Sequence, residues 1–266
     1  EAKILETADI LYAGDFNRFQ AGNMIVANCG YGMGSNRFYQ NCRENSNLRP
    51  LFDSGKYNYE FIDNLIKTYR KTYSKIIEFW TQMEKCFRWV IKYPHEIVYY
   101  KFDKTSVTVN ANKHVDLGAN YTCYNRKEFP NAPPDSWHNL PLLTFRNDKG
   151  TVFINLPSGR ELRYSHARII KDRYKGTISW RWGKLWGGSI VENIVQATSR
   201  DVLAEAILMI GPFNPIVCHV HDSISVLIKK DNVRFALPKI EKAMRRVPEW
   251  AEGVPIDIET KVKETF

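Results

Sequence analysis

No run of this chain reaches the roughly 18 consecutive apolar residues that a membrane-spanning helix needs, and no secretory leader pattern opens it. Cysteine is sparse. The 266 residues hold 5, at positions 29, 42, 86, 123 and 218, and none forms a Cys-x-x-Cys pair. An odd, scattered set supplies neither a disulfide framework nor the paired ligands of a structural zinc site. It points to reduced thiols in an intracellular compartment. Internal repeats and low-complexity linkers are absent as well. A Met start is missing, since the chain opens on Glu1, so the sequence reads as a fragment or a processed chain. Disorder is excluded, because 44% of the residues are hydrophobic, enough to bury a real core in one large or two ordinary domains.

What the chain has in quantity is positive charge and aromatic rings. Lys and Arg number 38 against 29 Asp and Glu, a net charge of +9, and aromatics make up 13%. Phosphates demand charge and nucleobases demand stacking planes, so this balance suits a polyanion partner. A merely soluble basic protein has the same totals, but the distribution is uneven. Residues 160–184 carry eight Lys/Arg, at 160, 163, 168, 171, 173, 175, 181 and 184, against Glu161 and Asp172. Tyr164, Tyr174, Trp180 and Trp182 are interleaved with them. A concentrated basic and aromatic segment predicts a nucleic-acid track better than a solvated face.

Periodicity organises the rest. Residues 1–47 read as helical, with Gly14 and Asp15 as a break. Residues 58–92 hold a 3.6 period from Phe61 to Phe87 and predict one long helix. Residues 97–127 look like strand, with Val107 and Val109 alternating among polar residues, and 129–141 is a proline-rich loop. Leu142–Phe145, Val152–Leu156 and Glu161–Tyr164 are short strand-like runs. After Gly187-Gly188 a helix is expected over 189–210, its apolar side formed by Ile190, Ile194, Val195, Val202, Leu203, Ala206 and Ile210. Gln196 and Arg200, four apart, share a face of it. An amphipathic helix over 232–246 stops before Pro248.

The densest chemistry lies in Ile216–Ile228, where two β-rich runs flank His221-Asp222-Ser223. This predicts a tight hairpin with a carboxylate at its tip, where it could bind a divalent cation. Asp is also an ordinary turn residue. A zinc or iron site at His219-x-His221-Asp222 is disfavoured, because on a strand 219 and 221 face one way and 222 the other. A His-Asp phosphohydrolase needs its pair on a helix, and a Ser/His/Asp triad needs its members apart in sequence. Gly30-Tyr31-Gly32-Met33-Gly34 lacks the Gly-Lys-Ser/Thr ending of a P-loop, which leaves a phosphate cradle or a glycine kink in a helix.

Taken in order, these pieces resemble one family. The Gly30–Gly34 stretch, Leu156-Pro157-Ser158-Gly159-Arg160, Gly187-Gly188 followed by Glu192-Asn193-Ile194-Val195-Gln196-Ala197 and Arg200-Asp201, then Val220-His221-Asp222 and Pro248 with Trp250-Ala251, resemble the polymerase domain of family A DNA polymerases, bacteriophage-type. Glu1-Ala2-Lys3 looks like the tail of that family's first catalytic motif, Asp-x-Ser-x-Ile-Glu-Ala-Arg, whose Asp would precede Glu1. The resemblance implies an α+β right-hand polymerase fold, in part. Residues 1–92 would be fingers helices and the entry from the palm, and 93–266 the palm, an antiparallel sheet with the catalytic hairpin. It implies template-directed addition of dNTPs to a primer 3′-hydroxyl, with two Mg²⁺ ions, replaceable by Mn²⁺, as cofactors. The catalytic set would be Asp222 as metal anchor, with Glu1 as the sugar-excluding contact within a metal-site diameter, and His221. Tyr31 would stack on the template base beside Gly32, with Asn23 and Arg18 toward the dNTP. Arg160, Gln196, Arg200, Arg168 and Lys171 would contact DNA, and Asp201 would support the helix carrying Gln196. Partners would be primer–template DNA, dNTPs and phage replication proteins in a bacterial host cytoplasm, with no membrane. Three positions depart from the family pattern. Asn23 stands where the dNTP-gripping Lys is expected, with Arg18 one residue out of register. Ser223 replaces the Glu after the catalytic Asp, and the Glu1–Tyr31 spacing is short. Arg18 is expected to supply the missing cation, with Asn23→Lys raising dNTP affinity. The rival reading is a catalytically inactive, DNA-binding remnant of such a polymerase, and a further rival is a basic nucleic-acid-binding protein of other ancestry.

Overall fold

The computed structural model describes residues 29–101, 121–125, 142–171, 173 and 175–263. It is a mixed helix-and-sheet protein. The chain divides into two compact units, and each is traversed twice. Of the described residues, the first holds those within 29–88 and 169–192, and the second those within 89–168 and 193–263. The expected division, 1–92 and 93–266, therefore meets a chain that leaves the first unit near Arg88 and re-enters it for 169–192.

The first unit is mainly helical. Its described part starts with helical residues 29–30, turns at Tyr31-Gly32 and resumes as α1 (Ser35–Glu44), α2 (Arg49–Asp53), α3 (Tyr59–Thr72) and most of α4 (Ser74–Lys92). The single helix expected over 58–92 is two helices. The apolar period continues through the junction, but Tyr73 adopts φ −102° and ψ 45°, outside the helical region, and stands 44% exposed. Asn58 starts α3 by accepting a hydrogen bond from the Phe61 N–H at 2.9 Å, one of the orphan donors of a helix start. The apolar faces of α1, α2 and α3 close a core of Phe38, Cys42, Leu48, Phe52, Tyr57, Ile62, Leu65, Ile66 and Tyr69 around Cys29. Residues 169–192 add a small sheet in the order β6 (Arg168–Ile170), β7 (Thr177–Trp180), β8 (Gly183–Leu185), and the first turn of α5 (Gly187–Ile210). The strand reading of the sequence ended at Tyr164 and missed this sheet, whose strands are three or four residues long.

A buried carboxylate fastens that returning segment to α4. Glu84, 9% exposed, accepts hydrogen bonds from Arg88 Nε at 2.9 Å, Lys175 Nζ at 2.7 Å and the Gly187 N–H at 3.0 Å. Burial pushes its carboxyl up, but the bonds from Lys175, Arg88 and Gly187 outweigh it and hold the pKa below the ordinary value. Arg88 also donates to the carbonyls of Lys175 and Gly176, at 3.1 and 2.7 Å. Gly187 fits there because it has no side chain: a Cβ would lie 2.1 Å from the Trp80 carbonyl oxygen.

The second unit is built on an antiparallel sheet in the order β2-β1-β3-β4-β5, from β1 (Glu96–Lys101), β2 (Tyr121–Asn125), β3 (Leu142–Asp148), β4 (Thr151–Asn155) and β5 (Glu161–Tyr164). Val98 faces Phe145, Phe145 faces Ile154, and Val152 faces Tyr164 across the strands, all buried. On the other side of the sheet Phe153 lies under the Arg146 guanidinium at 3.8 Å, with Arg163 at 5.7 Å. Val107, Val109 and the 129–141 loop lie outside the described residues. The remainder of α5 buries Ile194, Leu203, Ala206 and Ile210, but Val195 is 40% exposed, so the expected apolar side was too wide by one residue. The two-stranded sheet β9 (Ile216–Val220) and β10 (Ser223–Val226) follows, then α6 (Val233–Met244), which holds Pro238 inside it.

Candidate catalytic hairpin and nucleic-acid interface

The hairpin read from the sequence is present. Val220 pairs with Ser223, Ile224 with His219 and Ser225 with Cys218, which leaves His221-Asp222 as a two-residue turn. Both turn residues are exposed. His221 takes φ 53°, in the left-handed region where two-residue turns usually place Gly or Asn and where a residue with a Cβ is held against roughly 1 kcal/mol. Ser223 Oγ donates to the Val220 carbonyl at 2.9 Å, so the hydroxyl after Asp222 closes the turn. Asp222 thus projects a hard oxygen donor from a short, backbone-fixed support. Mg²⁺ binds through one or two carboxylates and completes its shell with water and phosphate oxygens, so Asp222 fits it as one protein ligand. Among the described residues no group of three or more His, Cys, Asp or Glu could hold a metal. Glu1, and with it the expected Glu1–Asp222 approach, lies outside the described residues, as do Asn23 and Arg18.

A second constellation lies on α5 in the same unit. Leu156–Arg160 is the tight connection from β4 to β5, closed by the Leu156 N–H on the Arg160 carbonyl at 2.8 Å. Asp201, 8% exposed, gathers this turn: Ser158 Oγ donates to it at 2.5 Å and Arg160 Nε at 2.6 Å, while Arg160 Nη2 donates to the Ala197 carbonyl at 2.8 Å. Arg160 is therefore a clamp between turn and helix, and its side chain is still 45% exposed. Gln196 and Arg200 are both exposed, as their spacing requires. Asn193, from the same motif, donates to the buried Tyr164 hydroxyl at 3.1 Å.

In the first unit the Gly30–Gly34 stretch is neither a continuous helix nor an open cradle. It is a turn between helices whose carbonyls are taken: Trp80 Nε1 donates to Gly30 O at 3.0 Å and Arg70 Nη2 to Met33 O at 3.2 Å. Gly32 sits at φ 88°, and a Cβ there would lie 1.9 Å from the Trp186 ring. Tyr31 is half-buried in this turn rather than on a helix, and burial, then the Glu192 carboxylate, pushes its hydroxyl up.

The basic segment divides by occupation. Lys175 is taken by Glu84, Arg160 by Asp201, and Arg163 stands 3.9 Å from Glu161. Arg168, Lys171, Arg173 and Lys184 are exposed and form no ion pair among the described residues. Arg181 lies over the ring of Trp182, 4.8 Å from its centroid. Sequence reasoning missed the Glu84 node. The Glu84–Arg88 spacing of four was its signal, but nothing local revealed that Lys175 and Gly187 complete it.

The chain is similar to the DNA polymerase of Bacillus phage SP02, 35% identical over 136 residues. The match covers 47% of this chain and 21% of that polymerase, so the chain matches about a fifth of its relative's length. No protein-family model matches the chain. No solved structure matches it. No described helix is long and apolar enough to cross a membrane. About half of the chain is thus tied to a DNA polymerase sequence.

Proposed function

We propose that this chain is the palm-and-fingers part of a family A, bacteriophage-type DNA polymerase, which adds dNTPs to a primer 3′-hydroxyl under template direction. The similarity to the phage SP02 DNA polymerase carries the reading. It is supported by an exposed Asp222 on a two-residue hairpin turn, with Gln196 and Arg200 exposed on one helix face. Asp222 would hold Mg²⁺ (or Mn²⁺) as one carboxylate ligand, with Glu1 proposed as its neighbour. When bound, such ions would supply a lowered pKa at the attacking hydroxyl and neutralise the charge that develops on the phosphate. His221 touches the primer end, Tyr31 and Gly32 border the nascent base pair, and Arg18 and Asn23 face the triphosphate. Arg160 stays fixed by Asp201, so its exposed edge meets DNA from one position rather than many. The fingers reading, made for 1–92, would take in 169–192 as well, which share a compact unit with residues up to Arg88. Primer–template DNA, dNTPs and phage replication proteins are the partners, in a bacterial host cytoplasm.

The test is primer extension in Mg²⁺ by the full-length protein that carries this chain. Asp222→Asn should slow extension by at least about a hundredfold, ~2.7 kcal/mol in the barrier. Extension that Asp222→Asn leaves untouched would remove Asp222 from the chemistry. Firm DNA binding with no extension in either Mg²⁺ or Mn²⁺ would favour the inactive DNA-binding remnant.

A further inference from the structure

The β7–β8 hairpin closes on a two-residue tip, Arg181-Trp182, between the Trp180–Gly183 pair. Trp182 is 71% exposed, although burial is worth more to Trp than to almost any other side chain. The Arg181 guanidinium, 4.8 Å from its ring, holds one side of the indole and adds positive charge to it. Ile178 and Leu185, paired across the strands, are buried. Strand alternation therefore puts Ser179 and Lys184, also paired, on the opposite face, where Ser179 is half-buried and Lys184 exposed. Lys171 and Arg173, in the turn after β6, are exposed and likewise without an ion pair among the described residues. A flat ring, a guanidinium over it and exposed cations are the parts of a site that stacks a base and tracks its phosphates. Base pairing in a duplex hides the faces of the bases within the stack, whereas an unpaired strand presents them.

We infer that the Arg181-Trp182 tip is a binding site for single-stranded nucleic acid, stacking one unpaired base on Trp182, with Lys184 on a flanking phosphate and Lys171 and Arg173, at the other end of β7, further along the strand. The inference rests on the reading that this chain binds DNA and goes beyond it in naming an unpaired strand as ligand, on a hairpin other than the one bearing Asp222. Anisotropy titrations of the full chain with a labelled oligo(dT) and with a blunt duplex test it. Trp182→Ala should lower the ratio of single-strand to duplex affinity about tenfold, with an unchanged salt slope, since no charge is removed. Trp182→Phe should retain most of the ratio, and it should show less quenching of protein fluorescence by oligo(dT) than the wild type. Thermal melting of each variant checks folding, and the Phe variant keeps the test open if the Ala variant melts early. A ratio unmoved by Trp182→Ala, in a protein that binds both ligands, overturns this inference alone. A wild type that binds neither ligand overturns the DNA-binding reading with it.

Discussion

At the scale of single residues, the buried groups are tuned for packing rather than for chemistry. Burial pushes the Cys29 thiol up to about 11 although Arg70 draws it back, and burial, reinforced by Cys29, pushes Cys42 up to about 12. Neither is a thiolate at neutral pH, so neither is a nucleophile or a ready metal ligand. Tyr164 behaves likewise, pushed up to about 12 by burial against the opposing hydrogen bond from Asn193. Cys218, on β9, is only half-buried. Among the four cysteines whose burial is described, iodoacetamide on the native protein should therefore modify Cys218 first, with Cys29, Cys42 and Cys86 slower by about a hundredfold until the protein unfolds. Peptide mapping by mass spectrometry reads the order directly. Equal labelling of Cys29 and Cys218 would mean that the core of the first unit opens freely.

At the scale of elements, α4 and the returning segment 169–192 are held by one carboxylate and one missing side chain. Because the folded Glu84 pKa lies below its ordinary value of 4.5, its stabilising contribution is complete above that value. It is lost as pH falls through the depressed folded pKa. Glu84→Gln should lower stability by about 2 kcal/mol at pH 7, a modest figure because Lys175 is largely solvated. The gap from the wild type should close in strong acid, where the wild-type carboxyl is protonated too. Melting curves at the two pH values measure it, and a gap that persists in acid would assign the loss to packing. Gly187→Ala should destabilise by about 3 kcal/mol or more, because the Trp80 backbone, unlike a side chain, cannot swing aside. The hairpin at Asp222, the sheet run from Leu142 to Tyr164 and the helix bearing Gln196 were legible in the sequence, since turn chemistry and period are local signals. The break at Tyr73 was not, because an apolar stripe keeps its period across a kink. Nor was the Glu84 node, whose partners Lys175 and Gly187 are distant in sequence and carry no periodicity.

At the scale of the whole molecule, the net +9 is not one uniform field. Lys175 and Arg160 are spent on internal acids, which leaves Arg168 and Lys171 among the charges available to a polyanion. Replacing both with Ala should weaken duplex binding for every sequence alike and lower the slope of log affinity against log salt by about two. Titrations at several salt concentrations decide it, and an unchanged slope would take these two residues off the track. The twice-traversed first unit also bears on how the protein is made. Glu84 leaves the ribosome long before Gly187, its hydrogen-bond partner 103 positions later. All of residues 89–168 must be synthesised between the two halves of that unit. During translation the nascent helical half therefore waits with a carboxylate that has Arg88 but neither Lys175 nor Gly187, and the intervening sheet has the first opportunity to form. A chain stopped before residue 169 is not a smaller version of the first unit but an unfinished one.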